Sequence, residues 1–208
     1  MDDDGDVLHM ALLANPAARA GRAAHDLERV LDRLRTHGIQ PAVLTADSPA
    51  EAATAARQAV EGGLERLLVL GGDGVMHLAA GAVAATPTVM GVIPAGTGND
   101  FARALGLLDG GLEQRVDTAL GDPVALDVIA AGGRTALSSV IAGFPSNVNA
   151  RANRMPFPRG TSRYTISTLL ELPGMRPVDY RLILDGEVHD VRAAVVVVAN
   201  TRYFGAGM

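Results

Sequence analysis

The sequence of 208 residues has no cysteine and no tryptophan, and aromatic residues make up only 3% of it. The missing cysteines exclude a disulfide framework and any thiolate metal site, and they fit a reducing cytoplasm. Because aromatic side chains are so few, the 48% of hydrophobic residues must build a core of alanine, valine and leucine. The net charge of -5 argues against a dedicated nucleic-acid-binding protein, which needs an excess of lysine and arginine for phosphate contacts.

The sequence also lacks a recognisable membrane anchor or export signal. Its first residues, MDDDGD, are acidic where a signal peptide is positively charged. Residues 75–99 contain no Asp, Glu, Lys or Arg, but His77, Pro87 and Pro94 interrupt them, so we interpret this run as helix, turn and strand. We therefore predict a cytoplasmic protein without a transmembrane segment, whose contact with a membrane is peripheral.

The first half of the chain alternates between strand and helix patterns. Ser48 and Glu51 form a capping-box pattern around Pro49, which predicts a helix that ends at Gly62 and Gly63. The other predicted strands and helices are residues 7–14, 24–35, 41–45, 67–70, 76–84, 88–93 and 100–107. This alternation predicts an α/β domain with a mostly parallel sheet and helices on both faces. Ligands of such sheets bind beyond the carboxyl ends of the strands.

The second half has the patterns of antiparallel hairpins. Apolar runs flank Gly132-Gly133 at 124–131 and 135–142, and they flank Asp185-Gly186 at 180–184 and 188–198, with a helix expected over 162–172. We predict two domains, residues 1–121 and a β-rich domain over 122–208, with core strands at 67–70 and 193–198. The glycine-rich ending directly after the last apolar run leads us to expect a β-rich domain truncated at its C-terminus.

The first candidate site is the glycine loop Gly71-Gly72-Asp73-Gly74, which follows an apolar strand and opens a helix. Glycines let backbone amides approach an anion, and a helix N-terminus adds partial positive charge. An aspartate beside phosphates usually faces a metal ion or a hydroxyl. A plain turn in which Asp73 caps the helix is equally compatible with these four residues.

A second glycine loop, PAGTGNDFAR at residues 94–103, follows the next strand and opens another helix. Thr97 offers a hydroxyl to a phosphate, while Asn99 and Asp100 can cap the helix and place polar groups in a ligand cleft. Asn15 and Thr45 end the other two predicted strands. Four loops at one sheet edge favour a nucleotide site over a simple turn.

GGDG followed by PAGTGNDFAR resembles the catalytic domain of the diacylglycerol kinase family, which includes sphingosine, ceramide and bacterial lipid kinases and is related to the NAD kinases. The final residues, NTRYFGAGM, resemble the segment with which the family's second domain returns toward the cleft. The resemblance implies a diacylglycerol kinase-like α/β domain and a β-rich lipid domain. It also implies transfer of a phosphoryl group from MgATP to the hydroxyl of a diacylglycerol- or sphingosine-like lipid.

The resemblance further assigns residues to this site. Asp73 is the expected catalytic carboxylate, and Gly98, Asn99 and Asp100 are expected on the substrate side. The expected ATP-binding residues are Asn15, Pro16, Gly21, Thr45, Gly71, Gly72, Asp73, Gly74, Val75, Gly96 and Thr97. The cofactors are ATP and Mg²⁺, and the partners are a lipid at a membrane surface and a second copy in a homodimer. The magnesium ligands are left unassigned, because the family's acidic stretch is expected beyond Met208.

The sequence departs from the family pattern at four positions. The family commonly has Thr, Asn and Glu where this chain has Val75, His77 and Leu78, and Arg19 replaces a glycine of the first nucleotide loop. We expect His77 to be a core or surface residue rather than a metal ligand. Two alternatives stay open. One is a NAD kinase-like enzyme, although its Asn-Glu pair is absent from the sequence. The other is a nucleotide- or lipid-binding pseudokinase, since the chain as given is expected to lack part of the machinery.

Overall fold

The computed structural model describes residues 9–14, 22–46, 48–96, 98–157 and 161–203. The chain divides into two compact units. The first unit runs to Ser138 and takes up the chain again from Asn200, and the second unit is Ser139–Ala199. The predicted domain boundary between residues 121 and 122 stays a prediction. The first compact unit continues beyond it to Ser138.

The first unit is built on a parallel sheet. Its strands are β1 (Met10–Ala14), β2 (Ala42–Thr45), β3 (Arg66–Gly71) and β4 (Val89–Pro94), in the order β2-β1-β3-β4. The helices are α1 (Arg22–Thr36), α2 (Pro49–Glu61), α3 (Asp73–Val83), α4 (Asp100–Ala104) and α5 (Leu112–Leu120). All three strand pairs are parallel, so the strands end at one edge, where Ala14 is in register with both Thr45 and Leu70. The predicted α/β fold is confirmed.

Alternate residues of the central strands face two separate cores. Leu67 and Val69 belong to a cluster with residues of α2, α3 and α4, whereas Leu68 and Leu70 belong to a cluster with residues of α1 and α5. Leu67, Leu68 and Val69 are each 0% exposed. Because successive side chains of a strand point to opposite faces, a continuous apolar strand requires helices on both sides of the sheet.

The start of α2 follows from its sequence. Ser48 is the N-cap in extended conformation, its Oγ accepts a hydrogen bond from the Glu51 amide at 3.2 Å, and Pro49 is the first helical residue. Proline has no amide hydrogen to satisfy at this position, and its fixed φ suits the first turn. The predicted N-cap is therefore confirmed, and the helix ends at Gly62 as predicted.

Helix α5, which the sequence analysis did not predict, packs against β4 and α1. Close packing on the sheet depends on Gly91, since a Cβ there would lie 2.7 Å from the Ala119 carbonyl oxygen. On its other side, Asp117 accepts hydrogen bonds from Arg33 at 2.7 Å and pairs with His37 Nε2 at 2.8 Å. Hydrogen bonds from Arg33, and then from His37, lower the pKa of Asp117 to about 2.

Several predicted elements of the first unit have different bounds in the structure. Helix α3 begins at Asp73 rather than at residue 76, and α4 ends at Ala104 rather than at 107. The strand predicted over 124–131 is only β5 (Ile129–Ala131), which pairs with β6 (Arg134–Ala136) through the predicted glycine turn. The longer prediction is wrong because residues 124–128 are exposed and form no ladder.

The second unit consists of β7 (Ser139–Gly143), α6 (Phe144–Arg154), α7 (Thr161–Glu171), a 3-10 helix (Leu172–Gly174), β8 (Val178–Leu184), β9 (Glu187–Ala193) and β10 (Val195–Ala199). Strands β8 and β9 form the predicted hairpin, in which Asp185 and Gly186 both have positive φ, as a type I′ turn requires. Strand β10 pairs with β7.

Two expectations for the second unit are wrong. The single strand predicted over 188–198 is interrupted at Ala194, because β9 and β10 pair with different partners. Residues 193–198 are not a core strand, since Val195, Val197 and Val198 are 39%, 39% and 53% exposed. The predicted helix over 162–172 is confirmed as α7, whereas α6 was not predicted. In the part of the chain that the structure describes, no helix is long and apolar enough to cross a bilayer.

Candidate functional site

The first glycine loop joins the end of β3 to the start of α3. Gly71 is the last residue of β3, Gly72 is the N-cap with extended backbone, and Asp73 is the first residue of α3. The first helical hydrogen bond runs from the Met76 amide to the Gly72 carbonyl at 3.2 Å. The amides of residues 73–75 therefore precede the helical ladder and face out of the helix N-terminus. A helix N-terminus of this kind attracts an anion.

Asp73 contacts the second glycine loop rather than its own helix. The N-cap of α3 is Gly72, and Asp73 is already the first helical residue. Asp73 Oδ1 instead accepts a hydrogen bond from the Phe101 amide at 3.4 Å, in the first turn of α4. Its second oxygen lies close to Gly98, where a Cβ would be 2.8 Å from Asp73 Oδ2. The simple turn in which Asp73 caps α3 is therefore not the observed arrangement.

The second glycine loop is closed by one asparagine. The Gly96 amide donates to Asn99 Oδ1 at 3.0 Å, and Asn99 Nδ2 donates back to the Gly96 carbonyl at 2.9 Å. Asn99 is buried, has φ of 54°, and stands at the N-cap position of α4 without a side-chain capping bond. Asparagine is one of the few residues other than glycine that adopt this left-handed conformation readily. Its side chain therefore fixes the shape of the loop.

The two glycine loops touch at their backbones. The Ala95 amide donates to the Gly71 carbonyl at 2.8 Å. A Cβ at Gly96 would lie 2.4 Å from Gly72 Cα and 2.6 Å from Asn99 Oδ1. Such distances leave no room for any side chain, so Gly96 is required by the contact between the loops. The structure brings Gly71, Gly72, Asp73, Gly96, Gly98 and Asn99 into one junction at the carboxyl edge of the sheet.

The remaining predicted site residues either are not among the residues of this junction or lie outside the described part of the chain. Thr45 is exposed at the end of β2 on the same sheet edge, Gly74 is exposed in the first turn of α3, and Asp100 is buried at the start of α4. Asn15, Pro16, Arg19, Gly21 and Thr97 lie outside the described residues. Their expected contacts with a nucleotide stay predictions.

The apolar departures from the family pattern pack inward. Val75 and Leu78 are partly buried against the core cluster that contains Met76 and Ala79. Val75 also lies against the first glycine loop, because a Cβ at Gly71 would be 2.3 Å from Val75 Cγ1. These two side chains therefore contribute to the packing of α3.

His77, which the sequence analysis expected as a core or surface residue, is partly buried and contacts two backbone groups. Its Nδ1 lies 2.7 Å from the Asp73 carbonyl oxygen, and its Nε2 lies 3.5 Å from the Leu137 amide. A carbonyl accepts and an amide donates, so these two contacts fit the tautomer that carries its proton on Nδ1. His77 thereby links the start of α3 to the segment after β6. The Leu137 partner is 60 residues away in sequence, so no local pattern could have shown it.

Asn200 attaches the last described segment to the first unit. Its Nδ2 donates to the carbonyls of Asp127 at 2.7 Å and Leu137 at 3.0 Å, and its amide donates to the Ser138 carbonyl at 2.8 Å. The chain therefore leaves the second unit at Ala199 and rejoins the first unit at Asn200. The return of this segment toward a cleft stays a prediction, and residues 204–208 lie outside the described residues.

The donor set at the junction suits a metal that is held mainly by phosphates. Among the described residues, no three His, Cys, Asp or Glu side chains form a cluster that could hold a metal ion. Magnesium in kinase sites is bound through one or two carboxylates and the substrate phosphates, not by an all-protein cage. Asp73, whose Oδ1 carries a single amide hydrogen bond, therefore fits the part of a magnesium ligand in such a site.

A cavity of about 650 Å³ in the first unit lies along β4 rather than at the glycine loops. It is mainly apolar, and its lining includes Ala80, Val83, Val92, Phe101, Leu105 and Leu137. Phe101 lines this cavity with its side chain while its amide binds Asp73. None of the glycines of either loop lines the cavity, so it is distinct from the candidate anion site.

Comparisons with known proteins agree with this geometry. Residues 9–131 match the sequence family described as the diacylglycerol kinase catalytic domain, and residues 138–208 match the YegS C-terminal NAD kinase beta sandwich-like domain. A diacylglycerol kinase of Mycobacterium tuberculosis is 34% identical over 213 residues, which cover 94% of this chain and 66% of the relative. A diacylglycerol kinase of Bacillus subtilis is 26% identical over 208 residues, which cover 93% and 65%.

A solved structure of a diacylglycerol kinase from Bacillus anthracis has the same fold, with a TM-score of 0.72 and 22% sequence identity, over 94% of this chain and 65% of that one. The chain thus spans about two thirds of the length of the curated relatives that it matches. The resemblance read from the two glycine loops is confirmed, and because the family match covers more than half of its residues, the chain belongs to the diacylglycerol kinase catalytic domain family.

Proposed function

We propose that this chain carries the nucleotide site of an ATP-dependent lipid kinase, which transfers the γ-phosphoryl group of MgATP to the hydroxyl of a diacylglycerol- or sphingosine-like lipid. The observation that supports this proposal most directly is the junction of the two glycine loops. There the Ala95 amide is bonded to the Gly71 carbonyl, and Asp73 is bonded to the amide of Phe101. Family membership and the names of the relatives agree with a kinase that acts on lipids.

In this proposal the phosphates lie over the start of α3. The amides of residues 73–75 precede the helical ladder, and the glycines on either side leave the backbone accessible to an anion. Thr45, at the same sheet edge, contacts the nucleotide beside the phosphates. The residues outside the described part of the chain that complete the proposed ATP site are Asn15, Pro16, Gly21 and Thr97.

Asp73 is the proposed catalytic carboxylate. Its hydrogen bond from Phe101 orients it toward the second loop, where it would hold Mg²⁺ together with the phosphates. Bound Mg²⁺ would supply neutralisation of the phosphate charge. The lipid hydroxyl oxygen bonds to the γ-phosphorus while the bond to the bridging oxygen of ADP breaks, and the hydroxyl proton is released to water. The chain's own contribution is therefore alignment and charge, with Gly98, Asn99 and Asp100 on the side of the acceptor.

A nucleotide-binding pseudokinase is the second candidate, because Val75 and Leu78 pack into the core where the family commonly has a hydroxyl and a carboxylate. Loss of one hydrogen bond to a charged phosphate weakens binding by about 1.5–3 kcal/mol. This loss concerns affinity and leaves Asp73 in place, so we favour the active kinase.

The proposal includes peripheral contact of a cytoplasmic protein with a membrane. Exposed apolar side chains of α7 and the residues that follow it support this contact, namely Leu169 (64% exposed), Leu170 (55%), Leu172 (49%) and Met175 (46%). Apolar side chains that enter the interfacial region of a bilayer would bring the second unit to its lipid substrate. The homodimer stays a prediction.

The proposed function is tested by radiolabelled transfer from ATP with the complete protein. Vesicles containing diacylglycerol, ceramide or a sphingosine base are assayed in parallel with NAD. The expected result is a labelled phosphorylated lipid and no labelled product from NAD. Phosphorylated NAD that carries the label would favour the NAD kinase-like alternative. Tight ATP binding with no transfer to any acceptor would favour the pseudokinase.

A further inference from the structure

One peptide group stands at the junction of the two glycine loops. The peptide between Pro94 and Ala95 has its amide hydrogen bonded to the Gly71 carbonyl at 2.8 Å. Its carbonyl oxygen, on Pro94, accepts a hydrogen bond from Arg115 Nη1 at 2.8 Å. Pro94 is fully buried, so its carbonyl has little access to water. This peptide is therefore held on one side by the first glycine loop and on the other side by an arginine of α5.

The same guanidinium binds the segment that follows the second loop. Arg115 Nη2 donates to the Leu108 carbonyl at 2.7 Å, beyond the end of α4. Residues 94 and 108 flank the second glycine loop and α4, so Arg115 connects both ends of this segment. Arg115 Nε is buried without a hydrogen-bond partner in the described structure. Each of the two terminal nitrogens thus binds one carbonyl, and their planar geometry fixes the distance between the two carbonyls.

We infer that Arg115 is a positioning residue for the nucleotide site, an inference that rests on the proposed function. Arg115 holds the Pro94–Ala95 peptide, and this peptide sets the register between Gly71 and Gly96. The contact between the loops is tight, since a Cβ on Gly96 would be 2.4 Å from Gly72 Cα. A small shift of the second loop therefore changes the surface that faces the phosphates, and binding sites of this kind need placement within about 0.5 Å.

Arg66, the first residue of β3, provides a matched control because it binds the other end of α5. Its Nη1 donates to the Ala119 carbonyl at 2.6 Å and to the Gly121 carbonyl at 3.0 Å, at the end of α5 opposite to Arg115. Arg66 begins β3, whereas Pro94 ends β4, so Arg66 lies at the edge of the sheet away from the glycine loops. Loss of either arginine removes two hydrogen bonds from a guanidinium to backbone carbonyls. Only the loss of Arg115 removes a hydrogen bond from the second glycine loop, at the Pro94 carbonyl.

The experiment compares Arg115→Met, Arg115→Lys and Arg66→Met in the full-length protein. Hydrogen exchange of the peptide covering residues 95–101 is measured without ligand, and ATP affinity is measured by calorimetric titration with Mg²⁺ present. We expect Arg115→Met to speed exchange and to weaken ATP binding by about tenfold each, because the buried carbonyl loses a charge-assisted bond. Arg66→Met should change both by less than about twofold. Arg115→Lys, with one terminal nitrogen, should lie between wild type and Arg115→Met.

Each outcome decides the inference. Equal exchange and equal ATP affinity in Arg115→Met and Arg66→Met would overturn it, because both arginines would then only stabilise the packing of α5. A wild-type protein that binds no ATP would overturn the proposed function instead. In that case exchange alone decides whether Arg115 positions the loop: faster exchange in Arg115→Met than in Arg66→Met supports it, and equal exchange overturns it. If Arg115→Met does not fold, Arg115→Lys carries the same comparison.

Discussion

Strands β3 and β10 have similar sequences and different surroundings. β3 reads RLLVLG and β10 reads VVVVA. The Leu68 and Val69 side chains of β3 are 0% exposed, whereas Val198 of β10 is 53% exposed. β3 lies inside a four-stranded sheet with helices on both faces, whereas β10 belongs to a sheet of two strands among the described residues. An apolar run thus predicts a strand, while the number of layers around the strand decides its burial.

The largest expected effect on ATP affinity comes from the glycines of the two units. Gly96→Ala would place a Cβ 2.4 Å from Gly72 Cα, whereas a Cβ on Gly174 in the second unit meets no atom within 4 Å. The loops must separate in Gly96→Ala, so we expect ATP affinity to fall by at least about tenfold, and Gly174→Ala to leave it within about twofold. Calorimetric titration with MgATP measures both. ATP affinity unchanged in Gly96→Ala would show that the junction is not the nucleotide site.

The second prediction compares the two apolar strands directly. Val69→Ala removes two buried methyl groups and should lower the free energy of unfolding by about 2 kcal/mol, from lost burial and a residual cavity. Val198→Ala, at an exposed position, should change it by less than about 0.5 kcal/mol. Urea denaturation of the 208-residue chain, followed by circular dichroism, measures both variants. Similar losses in the two variants would mean that β10 is as well covered as β3.

These differences show which parts of the fold the sequence could predict. The parallel sheet was predictable because β1, β3 and β4 are continuous apolar runs that end in turn residues. Helix α6 was not predictable, because its sequence FPSNVNARANR has no wide apolar stripe, and only Val148 and Ala152 are buried in the structure. Helix α5 was also overlooked, although Leu112, Val116 and Ala119 follow a helical spacing, because it is only nine residues long.

For the candidate site, the sequence predicted the residue types and the structure supplied the pairings. The glycines and Asp73 were recognisable from the two loops. The bond from the Phe101 amide to Asp73 joins residues 28 apart, and the bond from Arg115 to Pro94 joins residues 21 apart. Such pairs depend on how α4 and α5 pack on the sheet, and no local pattern encodes that packing. For the same reason the contact of His77 with Leu137 could not be predicted from the sequence.

The smallest expected effect concerns the exposed charges of the two units. Asp117 in the first unit has Arg33 and His37 as partners, and its pKa is lowered to about 2, whereas Asp190 in the second unit pairs with Arg181 in the hairpin. A lowered pKa means that the folded state favours the charged carboxylate. The stability from Asp117 is therefore fully present above its ordinary pKa of 3.8 and is lost as the pH falls toward about 2.

Asp117→Asn should accordingly reduce the loss of stability between about pH 4 and pH 2, and Asp190→Asn is the comparison variant from the second unit. Urea denaturation at a series of pH values compares both variants with the wild type. Equal pH dependence in Asp117→Asn and the wild type would show that this carboxylate does not titrate with folding.

The central claim is that the glycine-loop junction performs phosphoryl transfer with Asp73 as its carboxylate. The direct measurement is the kcat for transfer from ATP to lipid by the complete protein, with Asp73→Asn compared with the exposed Asp122→Asn. The asparagine side chain keeps an oxygen that can accept from the Phe101 amide, so the loop should hold its shape while the charge is lost. We predict that Asp73→Asn lowers kcat by at least about a hundredfold and that Asp122→Asn leaves it unchanged. Transfer by Asp73→Asn at the wild-type rate would contradict the account.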